Sequence, residues 1–301
     1  MKPLAALLLA SGLILSSSAR GAQAEPGTAE QQFAALMKEY GPVSGLMRQA
    51  KTDWERKAAV ESLAAYPAKF LELAEAYPHD PIALKALREA VQAMSSTDSL
   101  AQVAWETNRA DFPAGNTDAL AARTTALLLR DHLQSDALAP VCDRLRYSYR
   151  LPSADFLRAV LEQSPHRHLR GIACLGLARF LSDRLAMVNL AADRPELARC
   201  YDRVFGSDYL PALRRLQQEG LAAQTEAMFE RAAADYGDVA FHLGGTIGDQ
   251  ARAELHGIRH LAVGRPAQET AGRDQDGAAL KLSDYRGKAV LLYFWMEYCP
   301  T

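Results

Sequence analysis

The chain has 301 residues, 49% of them hydrophobic, which is enough for about two domains with sizeable cores. Its formal net charge is −2, from 34 basic and 36 acidic residues that are interspersed along the sequence. This pattern excludes the basic class of nucleic-acid-binding and membrane-surface proteins, because no basic cluster is present to bind phosphates or anionic headgroups.

The first 24 residues have the features of an export signal. Lys2 supplies the positive charge, residues 4–15 form an apolar core too short to span a bilayer, and an Ala-Gln-Ala cleavage site ends at Ala24. We therefore predict a signal peptide over 1–24, with an uncleaved membrane anchor as the alternative. No later segment is long and apolar enough to span a bilayer, so we expect an exported protein, periplasmic or extracellular, without stable membrane insertion.

The sequence from residue 28 to residue 260 has a helical pattern, with apolar residues that recur at intervals of three and four. Thr28 and Gln31 predict a capping box at the first helix. Asp80 and Pro81 predict an N-cap followed by the first residue of another helix. Helices of this kind, joined by short turns, favour packing as antiparallel hairpins.

Further signals mark the middle of this region. Ser153 is expected to cap a helix that Pro165 ends, and the apolar stripe from Leu169 to Phe180 predicts a longer helix. We predict that residues 25–262 form one helical domain. Its fold class is mainly α, an irregular, α-solenoid-like stack of helical hairpins, since no sustained repeat period is present.

The four cysteines do not form a zinc motif, because no two of them are spaced as C-x-x-C. Cys142, Cys174 and Cys200 lie in the helical domain, and Cys299 lies near the last residue. The sequence does not decide whether two of the first three cysteines form a disulfide. A buried free thiol is expected for at least one of them.

Two weaker candidates lie near the last helix. His256 and His260 are four residues apart and are predicted to share a helix face. A metalloprotease motif requires glutamate after the first histidine, where this chain has Gly257, so we interpret the two histidines as a surface pair. Residues 244–248 are glycine-rich, but they lack the lysine of a phosphate-binding loop and are predicted to be a linker. No metal or cofactor is expected.

The composition changes in the tail, which we define as residues 263–301. Asp276-Gly277 predicts a hairpin turn between two short strands. Ser283 begins a short capped helical turn that Gly287 ends. Residues 290–295 are an unbroken apolar run that is typical of a central strand covered on both faces.

The tail resembles the exported thioredoxin-like disulfide oxidoreductases of the TlpA/ResA kind, within the redoxin superfamily. The matching residues are V-G-R-P-A at 263–267, D-G at 276–277, L-S-D-Y-R-G-K at 282–288, V-L-L-Y-F-W at 290–295 and Y-C-P at 298–300. In that family this order leads through a hairpin and the central strand to a W-C-x-x-C active site at a helix start. The resemblance implies that residues 263–301 are the N-terminal fragment of a thioredoxin-like α/β domain.

By this resemblance Cys299 is the attacking, catalytic cysteine of a thiol–disulfide oxidoreductase. A thiolate at a helix N-terminus is stabilised by free backbone N–H groups and by the helix dipole. It would form a mixed disulfide with a protein or small-molecule partner, and a resolving cysteine at position 302 would break that disulfide. We therefore expect a C-terminally truncated form of a longer protein, with a natural short form as the alternative, and leave open whether this chain alone is an enzyme.

Two other functions stay open. The chain could be a non-enzymatic helical module that binds a protein partner and carries an inactive redoxin remnant. It could also be a peroxiredoxin-like thiol peroxidase, since Cys-Pro-Thr at the end resembles the peroxidatic cysteine motif. That mechanism needs threonine and proline three and seven residues before Cys299, where this chain has Met296 and Leu292.

Overall fold

A computed structural model describes residues 27–106, 118–242, 244–262 and 264–293. The predicted signal peptide, Cys299 and the end of the predicted central strand lie outside these residues. So does Leu243, within the glycine-rich region before the last helix.

The protein is mainly helical, as predicted. The helices in chain order are α1 (Ala29–Gln49), α2 (Asp53–Leu63), α3 (Tyr66–Ala76), α4 (Pro81–Glu106), α5 (Asp118–His132), α6 (Ala139–Leu145), α7 (Leu151–Gln163), α8 (Arg167–Asp193), α9 (Pro195–Phe205), α10 (Tyr209–Gln218), α11 (Leu221–Asp235) and α12 (Ile247–His260). A short 3-10 turn, Asp136–Leu138, precedes α6. The tail contributes the strands β1 (Ala271–Arg273) and β2 (Ala279–Lys281), followed by a 3-10 turn, Leu282–Tyr285.

The predicted helix starts at Thr28 and Asp80 are confirmed. The Thr28 hydroxyl accepts the Gln31 N–H at 3.3 Å, and the Gln31 side chain accepts the Thr28 N–H at 2.9 Å, which completes the capping box. The Asp80 carboxylate accepts the Ile82 N–H at 2.8 Å, so α4 begins at Pro81. Both signals are local, because each cap bonds an N–H within three residues of itself.

The predicted cap at Ser153 is wrong. Helix α7 begins at Leu151, two residues earlier, with Pro152 in its first turn. Proline suits this position, because its fixed φ matches the helix and the N–H that it lacks would have no helical partner there. The predicted end is confirmed, since α7 stops at Gln163 and Pro165 follows its C-cap.

Helix α8 is the central element of the helical domain. Its first half belongs to the main core together with α7 and α11, where Phe156, Phe180 and Phe229 are fully buried. Its second half packs on α9 and α10 in a smaller core that contains Tyr201 and Leu213. These buried hydrophobic residues all lie between Ala29 and Leu255, within the helical domain.

The tail forms the predicted hairpin. Strands β1 and β2 are antiparallel, with Ala271 opposite Lys281. The Gly277 N–H donates to the Asp274 carbonyl at 3.0 Å, and Gly277 has a φ of +82°, which favours glycine. The 3-10 turn that follows is ended by Gly287 at φ +83°, so the predicted helical turn is also present.

The predicted central strand is not formed in the described part of the run. Residues 290–293 are in no strand, and Leu291 and Tyr293 are 91% and 80% exposed. A strand exists only when neighbouring strands accept and donate its backbone hydrogen bonds, and no described segment pairs with these residues. Phe294 and Trp295, the last two residues of the predicted strand, lie outside the described residues.

Candidate functional site

Two cysteines of the helical domain are buried free thiols, as predicted. Cys142 of α6 and Cys174 of α8 are both buried, and neither forms a disulfide. Burial raises the pKa of the Cys142 thiol far above its usual range, and burial raises the pKa of Cys174 to about 12. Neither is a thiolate at neutral pH, so neither is a suitable nucleophile. The side chain of Cys200 lies outside the described residues.

The hairpin and its 3-10 turn give the tail a defined local geometry. The Leu282 N–H donates to the Thr270 carbonyl at 2.9 Å, and the Ser283 N–H donates to the Glu269 carboxylate at 3.1 Å. Hydrogen bonding from the side chain and the backbone of Ser283 lowers the pKa of Glu269. These bonds hold the turn against the start of the hairpin, directly before the apolar run that leads towards Cys299.

A small cavity of about 80 Å³ lies between α4 and α6. Arg88, Glu89 and Arg144 supply its charged groups. Burial raises the pKa of Glu89, and the opposite charge of Arg88 offsets only part of this rise. Sequence reasoning missed this cavity, because its two sides come from helices almost fifty residues apart and neither side carries a motif.

Arg184 of α8 is a second feature that the sequence did not reveal, because a charged side chain is normally expected at the surface. It is 0% exposed. Its Nη1 donates to the Ser148 carbonyl at 3.0 Å and to the Tyr209 hydroxyl at 3.3 Å. Its guanidinium lies 4.6 Å from the Tyr149 ring centroid and 4.5 Å from that of Phe180. Stacking and hydrogen bonding thus tie α8 to the α6–α7 loop and to α10.

The prediction that two histidines share a face of the last helix is confirmed. His256 and His260 share one face of α12, with ring centroids 4.9 Å apart. The linker predicted over residues 244–248 is partly wrong, because Ile247 and Gly248 form the start of α12. Thr246 is the N-cap of this helix and forms a capping box with Asp249, so only residues 244–246 precede it. Within the described ranges, no group of three or more His, Cys, Asp or Glu side chains is arranged to hold a metal ion.

None of the described helices is both long enough and apolar enough to cross a bilayer. Comparison of the chain with models of known protein families, with curated proteins and with solved structures gave no match.

Proposed function

We propose that the protein is an exported thiol–disulfide oxidoreductase of the thioredoxin-like kind, which acts through Cys299. The supporting observation is the order of elements in the tail. The β1–β2 hairpin with Gly277 in its turn is followed by a 3-10 turn ended by Gly287, and then by the apolar run before Cys299. This is the order that precedes the active-site cysteine in the TlpA/ResA-like proteins that the tail resembles.

The proposed reaction transfers two electrons by thiol–disulfide exchange. The Cys299 thiolate attacks one sulfur of a substrate disulfide, a new S–S bond forms, and the other substrate sulfur leaves as a thiolate. A resolving cysteine, expected at position 302, then attacks the Cys299 sulfur. The second substrate sulfur leaves, so the substrate is reduced to a dithiol and the protein retains a disulfide between Cys299 and the resolving cysteine.

The burial of Cys142 and Cys174 argues against these two thiols as the nucleophile. Thiol–disulfide exchange requires a thiolate that a disulfide can reach, and burial denies both conditions to Cys142 and Cys174. The peroxidase alternative has less support, since Met296 and Leu292 replace the threonine and proline of that mechanism.

The test begins with the residue encoded at position 302. We expect cysteine there, and we expect the protein with its encoded continuation to catalyse the reduction of insulin disulfides by dithiothreitol. Cys299→Ser should abolish catalysis, whereas Cys142→Ala should retain it. A different residue at position 302 would exclude dithiol exchange, and equal activity of Cys299→Ser would exclude the proposed nucleophile.

A second candidate is a helical module that binds a protein partner without catalysis. It is supported by the location of the core, since none of the described tail residues is buried. Expression of residues 25–262 alone distinguishes the two. A fragment that unfolds cooperatively and keeps the partner binding of the full chain would favour the module, and a helical domain that melts without the tail would count against it.

A further inference from the structure

Two exposed imidazoles lie together at the C-terminal end of α12. His256 and His260 are one helical turn apart, and their ring centroids are separated by 4.9 Å. Within the described part of the chain, neither ring has a hydrogen bond or an ion pair. We propose that this pair chelates one divalent transition-metal ion of the class that prefers imidazole nitrogen, namely Zn²⁺, Ni²⁺ or Cu²⁺.

The separation of the rings fits a chelate. A metal ion lies about 2.0–2.1 Å from an imidazole nitrogen, and therefore roughly 3.2 Å from the ring centroid. Two such ligands at an angle of about 90–109° have centroids about 4.5–5.2 Å apart. The observed 4.9 Å lies within this interval. The backbone of α12 fixes the spacing, as it does for the two helical histidines of zinc metalloproteases.

The surroundings also favour a cation. The last turn of a helix carries partial negative charge from its carbonyl groups. The two neighbouring arginines are neutralised, since Arg259 pairs with Glu226 and Glu230, and Arg252 pairs with Asp249 at 2.7 Å. With two protein ligands, the remaining coordination positions are filled by water. Gly257 follows His256, so the site lacks the glutamate that acts as general base in metalloproteases. We therefore expect metal binding without hydrolysis.

A second histidine pair provides a matched control. His166 and His168 are two residues apart, with ring centroids separated by 6.0 Å. His166 Nε2 also lies 2.9 Å from the Gln134 carbonyl oxygen, so this ring is already engaged. The spacing and the competing hydrogen bond make this pair unsuitable for chelation.

The test is calorimetric titration of the untagged full chain with Ni²⁺, which does not oxidise thiols as Cu²⁺ does. We expect one Ni²⁺ per chain. His256→Ala and His260→Ala should each weaken binding by about tenfold or more. His168→Ala and Cys299→Ser should leave binding unchanged. The proposal is overturned if no saturable binding occurs below about 1 mM Ni²⁺, which would mean an affinity too weak for a chelate. Binding that survives either helix α12 variant, or that is lost in Cys299→Ser, also overturns it.

Discussion

The helical domain and the tail contain similar apolar residues but surround them differently. In the helical domain Phe156 and Phe180 are fully buried between helices. In the tail Leu291 and Tyr293 belong to an equally apolar run, yet both are almost fully exposed. The difference lies in the partners, because an apolar segment contributes to stability only when other elements cover it. A substitution in the helical domain should therefore affect stability more than a matched substitution in the tail.

The largest difference in unfolding free energy between a helical-domain variant and a tail variant is expected for truncation of a large apolar side chain. Phe156→Ala removes a side chain that is 0% exposed, and it should lower the free energy of unfolding by about 3–5 kcal/mol. Leu291→Ala should change it by less than about 0.5 kcal/mol, because Leu291 is 91% exposed. Urea unfolding followed by far-UV circular dichroism measures both. A loss for Leu291→Ala comparable to that for Phe156→Ala would show that the tail is covered in solution.

A smaller difference in stability is expected when one arginine is replaced in the helical domain and one in the tail. Arg184→Ala opens a void between Tyr149 and Phe180 and removes two hydrogen-bond donations, which should cost about 2–4 kcal/mol. Arg273 of β1 donates to the Gly277 carbonyl at 2.6 Å within the hairpin alone. Arg273→Ala should therefore leave the unfolding midpoint of the helical domain unchanged. Equal shifts of the midpoint for the two variants would contradict the structural role of Arg184.

The third comparison concerns caps. The Thr246 hydroxyl accepts the Asp249 N–H at 3.1 Å at the start of α12, and Thr246→Ala should cost about 1 kcal/mol. Thr246→Ser should restore most of this loss, since serine supplies the same oxygen. In the tail, the Asp284 carboxylate accepts the Lys281 N–H at 3.1 Å, and Asp284→Ala should not change the global transition. Failure of Thr246→Ser to rescue stability would exclude the capping explanation.

The smallest effect is a pH dependence. Burial raises the pKa of Glu89, so the folded state holds this proton more tightly than the unfolded state. The stability that this bound proton contributes is present below the usual pKa of glutamate, and it is lost as the pH rises through the raised pKa of Glu89. Glu89→Gln should therefore stabilise the protein slightly at pH 7, and the gain should vanish below the usual pKa.

The matched variant for this pH series is Glu269→Gln in the tail, which should have no effect on the global transition at either pH. Chemical unfolding at several pH values checks both variants. A destabilised Glu89→Gln protein at pH 7 would mean that the ionised carboxylate is favoured in the folded state.

Most features determined by neighbouring residues were predictable from the sequence, and the exception is the cap expected at Ser153, since α7 begins at Leu151. The caps at Thr28 and Asp80 and the hairpin turn at Gly277 each depend on a few adjacent residues, and each was found as expected. The shared face of His256 and His260 follows from helical spacing in the same way.

Features that depend on distant parts of the chain were not predictable. The buried Arg184 is enclosed by residues from three separate segments, and nothing in its own neighbourhood distinguishes it from the exposed arginines. The cavity between α4 and α6 likewise needs two helices to meet. The apolar run at 290–293 has a strand-like sequence, but its state depends on partners that no described residue supplies.

The central claim is that the helical domain is stable by itself and that the tail adds nothing to its stability. Hydrogen exchange of the 301-residue chain, followed by mass spectrometry, tests this claim most directly. We predict that amides in the middle of α8, from Ala173 to Leu181, exchange only through global unfolding. Amides at 290–293 should exchange at the rate of an unfolded peptide. Protection at 290–293 equal to that of α8 would contradict the claim.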